Sequence, residues 1–235
     1  MDSPKRSGCL ICSAEIVYGS ESVERTCSYC GNNFSSNAVC ANGHFVCDSC
    51  HSSPAMDFIF NTCLQSEIED PIELAALLMK NPQIKMHGPE HHFLVPAVLF
   101  TAYQNQTGRR EERRKKLEII RNRAELVKGG FCGTHGSCGA AIGAGIFCSV
   151  ITGATPISTD TWRLSNKITA HCLISIAEHG GPRCCKRDTF LSILNSAEFL
   201  KEEMDISLKV NPQVECDFSD MNRECLFEKC DFYIN

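Results

Sequence analysis

The chain has no long apolar run. Its start, "MDSPKRSGCLICS", lacks the apolar core of a secretory signal. The longest nearly apolar stretch, Ala140 to Ala154, is interrupted by glycines, Ser149 and Thr152. It is shorter than the roughly 20 residues that span a bilayer. These absences argue against export and membrane insertion, and we expect a cytoplasmic protein with no membrane partner. A G-x-S-x-G nucleophile elbow, a phosphate-binding G-x-x-x-x-G-K-[ST] loop and a G-x-G-x-x-G strand-to-helix turn are all missing. Strand-like alternation is scarce beyond the first fifty residues, and there is neither an internal repeat nor a low-complexity linker. A net charge of −5 over 235 residues demands neither nucleic acid nor an anionic membrane as partner.

Cysteine, by contrast, is abundant, with seventeen in the chain. In a reducing compartment, so many thiols point to metal, cluster or thiol chemistry rather than to a disulfide framework. Residues 1–53 hold four ligand pairs: Cys9/Cys12, Cys27/Cys30, Cys40/His44 and Cys47/Cys50. Three are C-x2-C, a spacing that lets one tight turn aim two sulfurs at one ion. "CSYCG" at 27–31 reads as a zinc knuckle and "CDSCHSS" at 47–53 as a pair opening a helix. Eight ligands make two four-coordinate sites, which suits two structural zinc ions. A cross-braced pairing joins Cys27/Cys30 to Cys47/Cys50 and Cys9/Cys12 to Cys40/His44. The rival is sequential, with Cys9/Cys12/Cys27/Cys30 as a ribbon, and His51 can stand in for a neighbour. So short a segment makes a poor apolar core, so ligation supplies its folding energy.

"SSPAMDF" marks a boundary near residue 53, dividing the chain into 1–53 and 54–235. The second part reads as helical. Asp70-Pro71 caps a helix through "IELAALLMKN"; a buried helix runs from about Pro89 to Gln106, kinked at Pro96 and stopped by Gly108. "RREERRKKLEIIRNRAELVKGG" (109–130) has one apolar face and one strongly basic face. Residues 139–153 read as a small-residue helix, "TDTWRLSNKITAHCLISIAEHGG" as a helix ending at Gly180, and "RDTFLSILNSAEFLKEEM" as the last long helix. The fold class is therefore mainly α, a helical C-terminal domain behind a small α+β, knuckle- or treble-clef-like zinc-binding module.

Three turns of this domain concentrate thiols: Cys132, His135 and Cys138 in "GGFCGTHGSCGAAIGAGIF", Cys184 and Cys185 in "GGPRCCKRD", and Cys216, Cys225 and Cys230 in the tail, 211–235. Glycines let backbone approach a metal or cluster closely, and helix N-termini lower thiol pKa values. Cys138 and Cys184/Cys185 precede predicted helices, and Arg183, Lys186 and Arg187 make an electropositive thiolate site the expectation. Adjacent cysteines diverge, so Cys184 and Cys185 fit one cluster ligand plus one redox-active thiol. The tail triad lacks an obvious fourth ligand and either borrows one or completes the main site. "HGPEH" at 87–91 matches a zinc-protease pattern, but Gly88-Pro89 breaks the helix that mechanism needs; Glu90 and His91 remain candidates for proton transfer or auxiliary ligation.

The strings "HGPEHHFLVPAVLFTAY", "GGFCGTHGSCGAAIGAGIFCSVITGATP" and "GGPRCCKRDTFLSIL" resemble a cysteine-rich domain-of-unknown-function family of anaerobic prokaryotes, sometimes fused to or encoded beside methyltransferases and radical-enzyme components. A weaker similarity is to redox-active proteins with a Cys, then Gly-Cys-Ala-x-x-Gly, then two further cysteines. Here Ser137 replaces the first glycine and Gly139 the alanine. That similarity implies electron or sulfur handling at Cys132, Cys138, Cys184 and Cys185.

The expected function is a metal- and thiol-dependent redox or sulfur-transfer protein. Two zinc ions sit in its first module, and an iron–sulfur cluster or dithiol site in the helical domain is held by Cys132, Cys138, Cys184 and Cys185. His135, Glu90 and His91 assist. Its partner is a redox or methyl-transfer enzyme or a small thiol. The alternatives are a non-enzymatic metal-binding adaptor or cofactor chaperone and, third, an RNA-modification factor gripping phosphate with the Arg109–Lys128 helix, nucleic acid not being favoured.

Overall fold

The computed structural model describes residues 8–9, 14–28 and 32–234, with side chains at 49–53 not described. Among the described residues the chain is mainly helical, with one two-stranded sheet. It divides into two compact units between Pro54 and Ala55.

In the first unit, β1 (Ile16–Thr26) and β2 (Asn33–Cys40) form an antiparallel hairpin, paired from Ile16 opposite Cys40 to Thr26 opposite Asn33. An irregularity lies between Tyr18 and Val23. Both strands are largely exposed. Among the described side chains of this unit the buried ones are Cys9, Cys27, Cys40 and Cys47, all cysteines. Among the described residues, this open hairpin has no apolar interior to drive its folding. Cys47 immediately precedes α1 (Asp48–Gln65), as its sequence predicts, and the division into units falls within this helix.

The second unit is built around α3 (Glu90–Thr107), whose residues 90–102 are buried without a break. It packs against α2 (Pro71–Met79), α4 (Arg113–Glu125), α6 (Gly139–Thr152) and α8 (Cys185–Met204). Asp70 caps α2, its Oδ1 accepting the Ile72 N–H at 2.8 Å, and Gly108 ends α3 in the left-handed region. Pro96 lies within an unbroken α3.

The small residues of α6 have a packing reason. A Cβ on Gly139 would overlap the His92 ring, and one on Gly143 would lie 2.7 Å from Pro96 Cδ, both on α3. On another face a Cβ on Gly145 would meet Thr169 of α7 (Asp160–His179). Glycines here let three helices approach at backbone distance. Cys148 and Cys172 sit in the second apolar cluster, between α6, α7 and α8, while Cys63 is in the main core.

Several boundaries differ from the sequence reading. The basic helix starts at Arg113 rather than Arg109 and ends at Glu125. A single helical turn, α5 (Phe131–Thr134), carries Cys132. The last helix begins at Cys185, two residues before the expected start, because Cys184 serves as its cap. The Cys184 sulfur accepts the Arg187 N–H at 3.5 Å, and the Asp188 carboxylate accepts a backbone hydrogen bond from Cys184 in return. The tail after Asp205 has only two short 3-10 turns, Ser219–Met221 and Phe227–Lys229, yet buries Phe218 and Phe232.

Candidate metal and thiol sites

In the first unit, the hairpin end and the turn after it bring Cys9 Sγ, Cys40 Sγ and a His44 ring nitrogen within 4.8 Å of one another, a group that could hold a metal ion. His44 Nδ1 is 3.5 Å from Cys40 Sγ, and the His44 N–H donates to the same sulfur at 3.2 Å. Separately, the Cys47 N–H donates to Cys27 Sγ at 3.3 Å. Cys9 therefore meets both Cys40 and His44, and Cys27 meets Cys47, contacts that the cross-braced scheme pairs. Cys12 and Cys30 lie outside the described residues, as do the side chains of Cys50 and His51.

In the second unit, the consecutive cysteines part company. Cys185 opens α8 and lies within electrostatic reach of Cys138 and Asp188, with the Gly88 backbone N–H directed at its sulfur. Cys184 accepts hydrogen bonds from the Arg187 N–H and from Asn222 Nδ2, at 3.5 and 3.6 Å, and its charge neighbours are Asp188, Arg187 and Cys216. Cys138 caps α6 and donates to Asp188 Oδ2 at 3.8 Å, with Cys132 within electrostatic reach. The four cysteines grouped by the sequence reading are thus split. Cys138 and Cys185 meet near Asp188 with Cys132 within reach of Cys138, while Cys184, also within electrostatic reach of Asp188, bonds toward the tail.

The expectation that Arg183, Lys186 and Arg187 hold these thiols as thiolates needs correction. Burial is the dominant influence and pushes Cys138 up to about 12, Cys184 up to about 11 and Cys185 up as well. The cations also have other partners. Lys186 reaches inward to the Met79 and Ile84 carbonyls, both at 3.2 Å. The Arg187 guanidinium donates to the Gly180 carbonyl at 2.7 Å and to Asp188 Oδ1 at 3.2 Å. Asp188, buried and pushed up by burial, was not singled out in the sequence. Its one signal there is an acidic residue in the first turn of a helix that begins with cysteine.

The auxiliary residues are placed differently from expectation. His91 is buried, with Nδ1 at 3.0 Å from Thr189 Oγ1 and Nε2 at 3.0 Å from the Lys85 carbonyl. Nε2 must donate to that carbonyl, leaving Nδ1 to accept from the threonine, and burial holds the ring neutral. Both nitrogens are committed to the fold, which argues against proton transfer or ligation by His91. Glu90 is fully buried; its Oε1 accepts the Lys85 N–H at 2.8 Å, burial pushes its pKa up, and its carboxyl occupies the space a Cβ at Gly88 would need. His135 is exposed on α5's far end, its ring 4.3 Å from the Phe131 ring and its Nδ1 2.7 Å from Thr134 Oγ1.

Cys216, Cys225 and Cys230 line a cavity of about 20 Å3 together with Cys184. On the basic helix, Arg113 is buried and bonded to Gln104, Asn105 and the Ser66 carbonyl. Arg110, Lys115 and Arg121 form ion pairs with Glu67, Glu112, and Asp57 and Glu125. Its face is thus partly neutralised rather than presented as a phosphate-binding stripe. Among the described residues, no helix is long and apolar enough to cross a membrane.

No curated protein and no solved structure matches the chain. One family model does match, over residues 59–233, from within α1 to the end of the tail and so over all the cysteines of the second unit. The chain therefore belongs to DUF5714, a family of unknown function.

Proposed function

We propose that the second unit is a thiol centre that passes electrons or sulfur to a partner enzyme or a small thiol, and that the first unit is a zinc-braced module. The observation that carries this reading is the convergence of Cys138 and Cys185, from the starts of two different helices, near the carboxylate of Asp188. Cys132 lies within electrostatic reach of Cys138 on the less buried side. Closing a Cys–Cys bond between two such thiols gives up two electrons and two protons. The Asp188 oxygen already accepting from Cys138 can relay a proton, and both electrons and both protons end on a substrate or partner-protein disulfide, whose S–S bond breaks to give two thiols. An iron–sulfur cluster is the other form of the same centre, with Cys132, Cys138 and Cys185 as ligands. The Cys/His donors of the first unit suit zinc in closed four-coordinate sites, which brace rather than catalyse. A reducing cytoplasm is the compartment in which these thiols stay available.

A metal-binding adaptor or cofactor chaperone is the second reading. It is favoured by a first unit whose described buried side chains are cysteines. The ion pairs along α4 disfavour an RNA-modification role.

The deciding experiment is anaerobic purification of the full chain, with iron, zinc and sulfide analysis, a visible spectrum and a thiol redox titration. The redox reading expects either bound iron with visible absorption or a two-electron couple lost in Cys138→Ser and Cys185→Ser. Zinc alone with no such couple overturns it. Partner binding unchanged in Cys138→Ser then favours the adaptor.

A further inference from the structure

We infer that Cys184, Cys216, Cys225 and Cys230 form a four-sulfur site for a single zinc-class ion, which clasps the irregular tail onto the start of α8. The sulfurs of three tail residues and of the α8 cap line one small cavity. About 20 Å3 accommodates a water-sized occupant or one metal ion. Four cysteine ligands around one ion is a structural zinc donor set, with Zn–S distances of about 2.3 Å.

The backbone is already arranged for thiolates. The Phe227 N–H donates to Cys225 Sγ at 3.4 Å, and the Phe218 N–H bonds to the Cys216 sulfur; each is two residues beyond its cysteine. Cys184 receives the Arg187 N–H and Asn222 Nδ2. Hydrogen bonds of this kind orient ligands and tune a metal site from outside its coordination sphere. Asn222 is itself held by the tail, its Oδ1 accepting the Glu224 N–H at 3.2 Å and lying 3.2 Å from His87 Nε2.

Charge is also matched. Four thiolates around a divalent cation leave an excess of two negative charges. Arg187 lines the cavity, and the buried Lys186 ammonium sits 4.8 Å above the Phe218 ring, within electrostatic reach of Cys184 and Cys216.

The four cysteines line the cavity with no three of their donor atoms within 4.8 Å of one another, so binding an ion must draw them together. Among the described residues, three donor atoms come within 4.8 Å only at Cys9, Cys40 and His44. The site explains how a segment with almost no regular structure, from Cys216 to Cys230, keeps a fixed course over Phe218 and Phe232. None of Cys132, Cys138 and Cys185 takes part, so this inference stands apart from the redox reading.

The test is thiol footprinting of the full chain under argon, loaded with zinc or stripped by a chelator, with alkylation read at each cysteine by peptide mass spectrometry. With zinc, Cys184, Cys216, Cys225 and Cys230 are expected to be protected together; with chelator all four are expected to become reactive together, by at least about tenfold. In parallel, Cys225→Ser is expected to bind about one zinc equivalent fewer than the unaltered chain, with an unchanged far-ultraviolet helical spectrum as the folding control. Cys184 reacting independently of the tail cysteines, or zinc failing to change the reactivity of any of the four, overturns the inference. Because the footprint is read on the unaltered chain, a variant that fails to fold does not decide the matter.

Discussion

Gly139 faces the His92 imidazole so closely that a single added carbon would overlap the ring, which is itself fixed by a 3.0 Å contact from Nδ1 to the Val127 carbonyl. Neither partner has an easy retreat. Gly139→Ala is therefore expected to destabilise the chain by about 1–3 kcal/mol despite alanine's better helix propensity. Gly133→Ala, in the neighbouring one-turn helix with nothing within 4 Å of the new carbon, is expected to change stability by less than about 0.5 kcal/mol. Urea denaturation of both variants checks the contrast; equal losses would show that the seam of α6 is not what its glycines serve.

Arg113 is a structural cation. Its guanidinium donates to Gln104 Oε1 at 3.0 Å, to the Ser66 carbonyl at 2.9 Å and to Asn105 Oδ1, binding α4 to α3 and to the end of α1. Arg113→Ala strands three buried acceptors and is expected to cost about 3 kcal/mol, with Arg113→Lys recovering less than half of it, since an ammonium cannot reproduce the fork. Arg114→Ala, on the exposed side, is expected to cost under about 1 kcal/mol. Thermal melts of the three variants test this ordering.

Alkali should weaken the fold through thiols that have no chemical task. Burial pushes Cys63 and Cys172 up to about 12, from an ordinary value of 9.0. The folded state thus prefers the neutral thiol. The resulting stabilisation is fully present below pH 9 and is lost as pH rises toward 12. Denaturant midpoints are expected to hold steady from pH 7 to 9 and to fall above it. Cys172→Ala should start lower, because of the cavity, but fall less steeply. Parallel curves for the two proteins would refute the assignment.

Metal removal should separate the two units. The described buried side chains of the first are four cysteines, whereas the second has an extended apolar core. A chelator is expected to abolish the hairpin's chemical-shift dispersion while leaving most of the far-ultraviolet helical signal. His44→Ala is expected to weaken metal binding by at least about tenfold. A hairpin that survives chelation would show that its cysteines pack as hydrophobes.

What the sequence disclosed follows the range of each interaction. Asp70-Pro71, Gly108 and Gly180 marked helix ends because capping is decided within one turn. The Cys40/His44 pair was legible because its spacing is local. The Cys138–Asp188 contact spans 50 residues and Asn222–Cys184 spans 38; such meetings are set by how helices pack, and no local pattern records them. His91 was misread for the same reason, as its partner Thr189 lies 98 residues away. Adjacent cysteines were expected to diverge, yet where each one pointed depended on which of them capped α8.

The glycines around Cys132 and Cys138 have a mechanical consequence. On the side of Cys138, α6 is wedged between α3 and α7 with no clearance for an extra carbon. On the side of Cys132, Gly130, Gly133 and Gly136 face open space. Six residues apart, the two thiols therefore stand on an anvil and on an arm. A bond made between them, or a reagent passed from one to the other, must be accommodated almost entirely by movement of the arm.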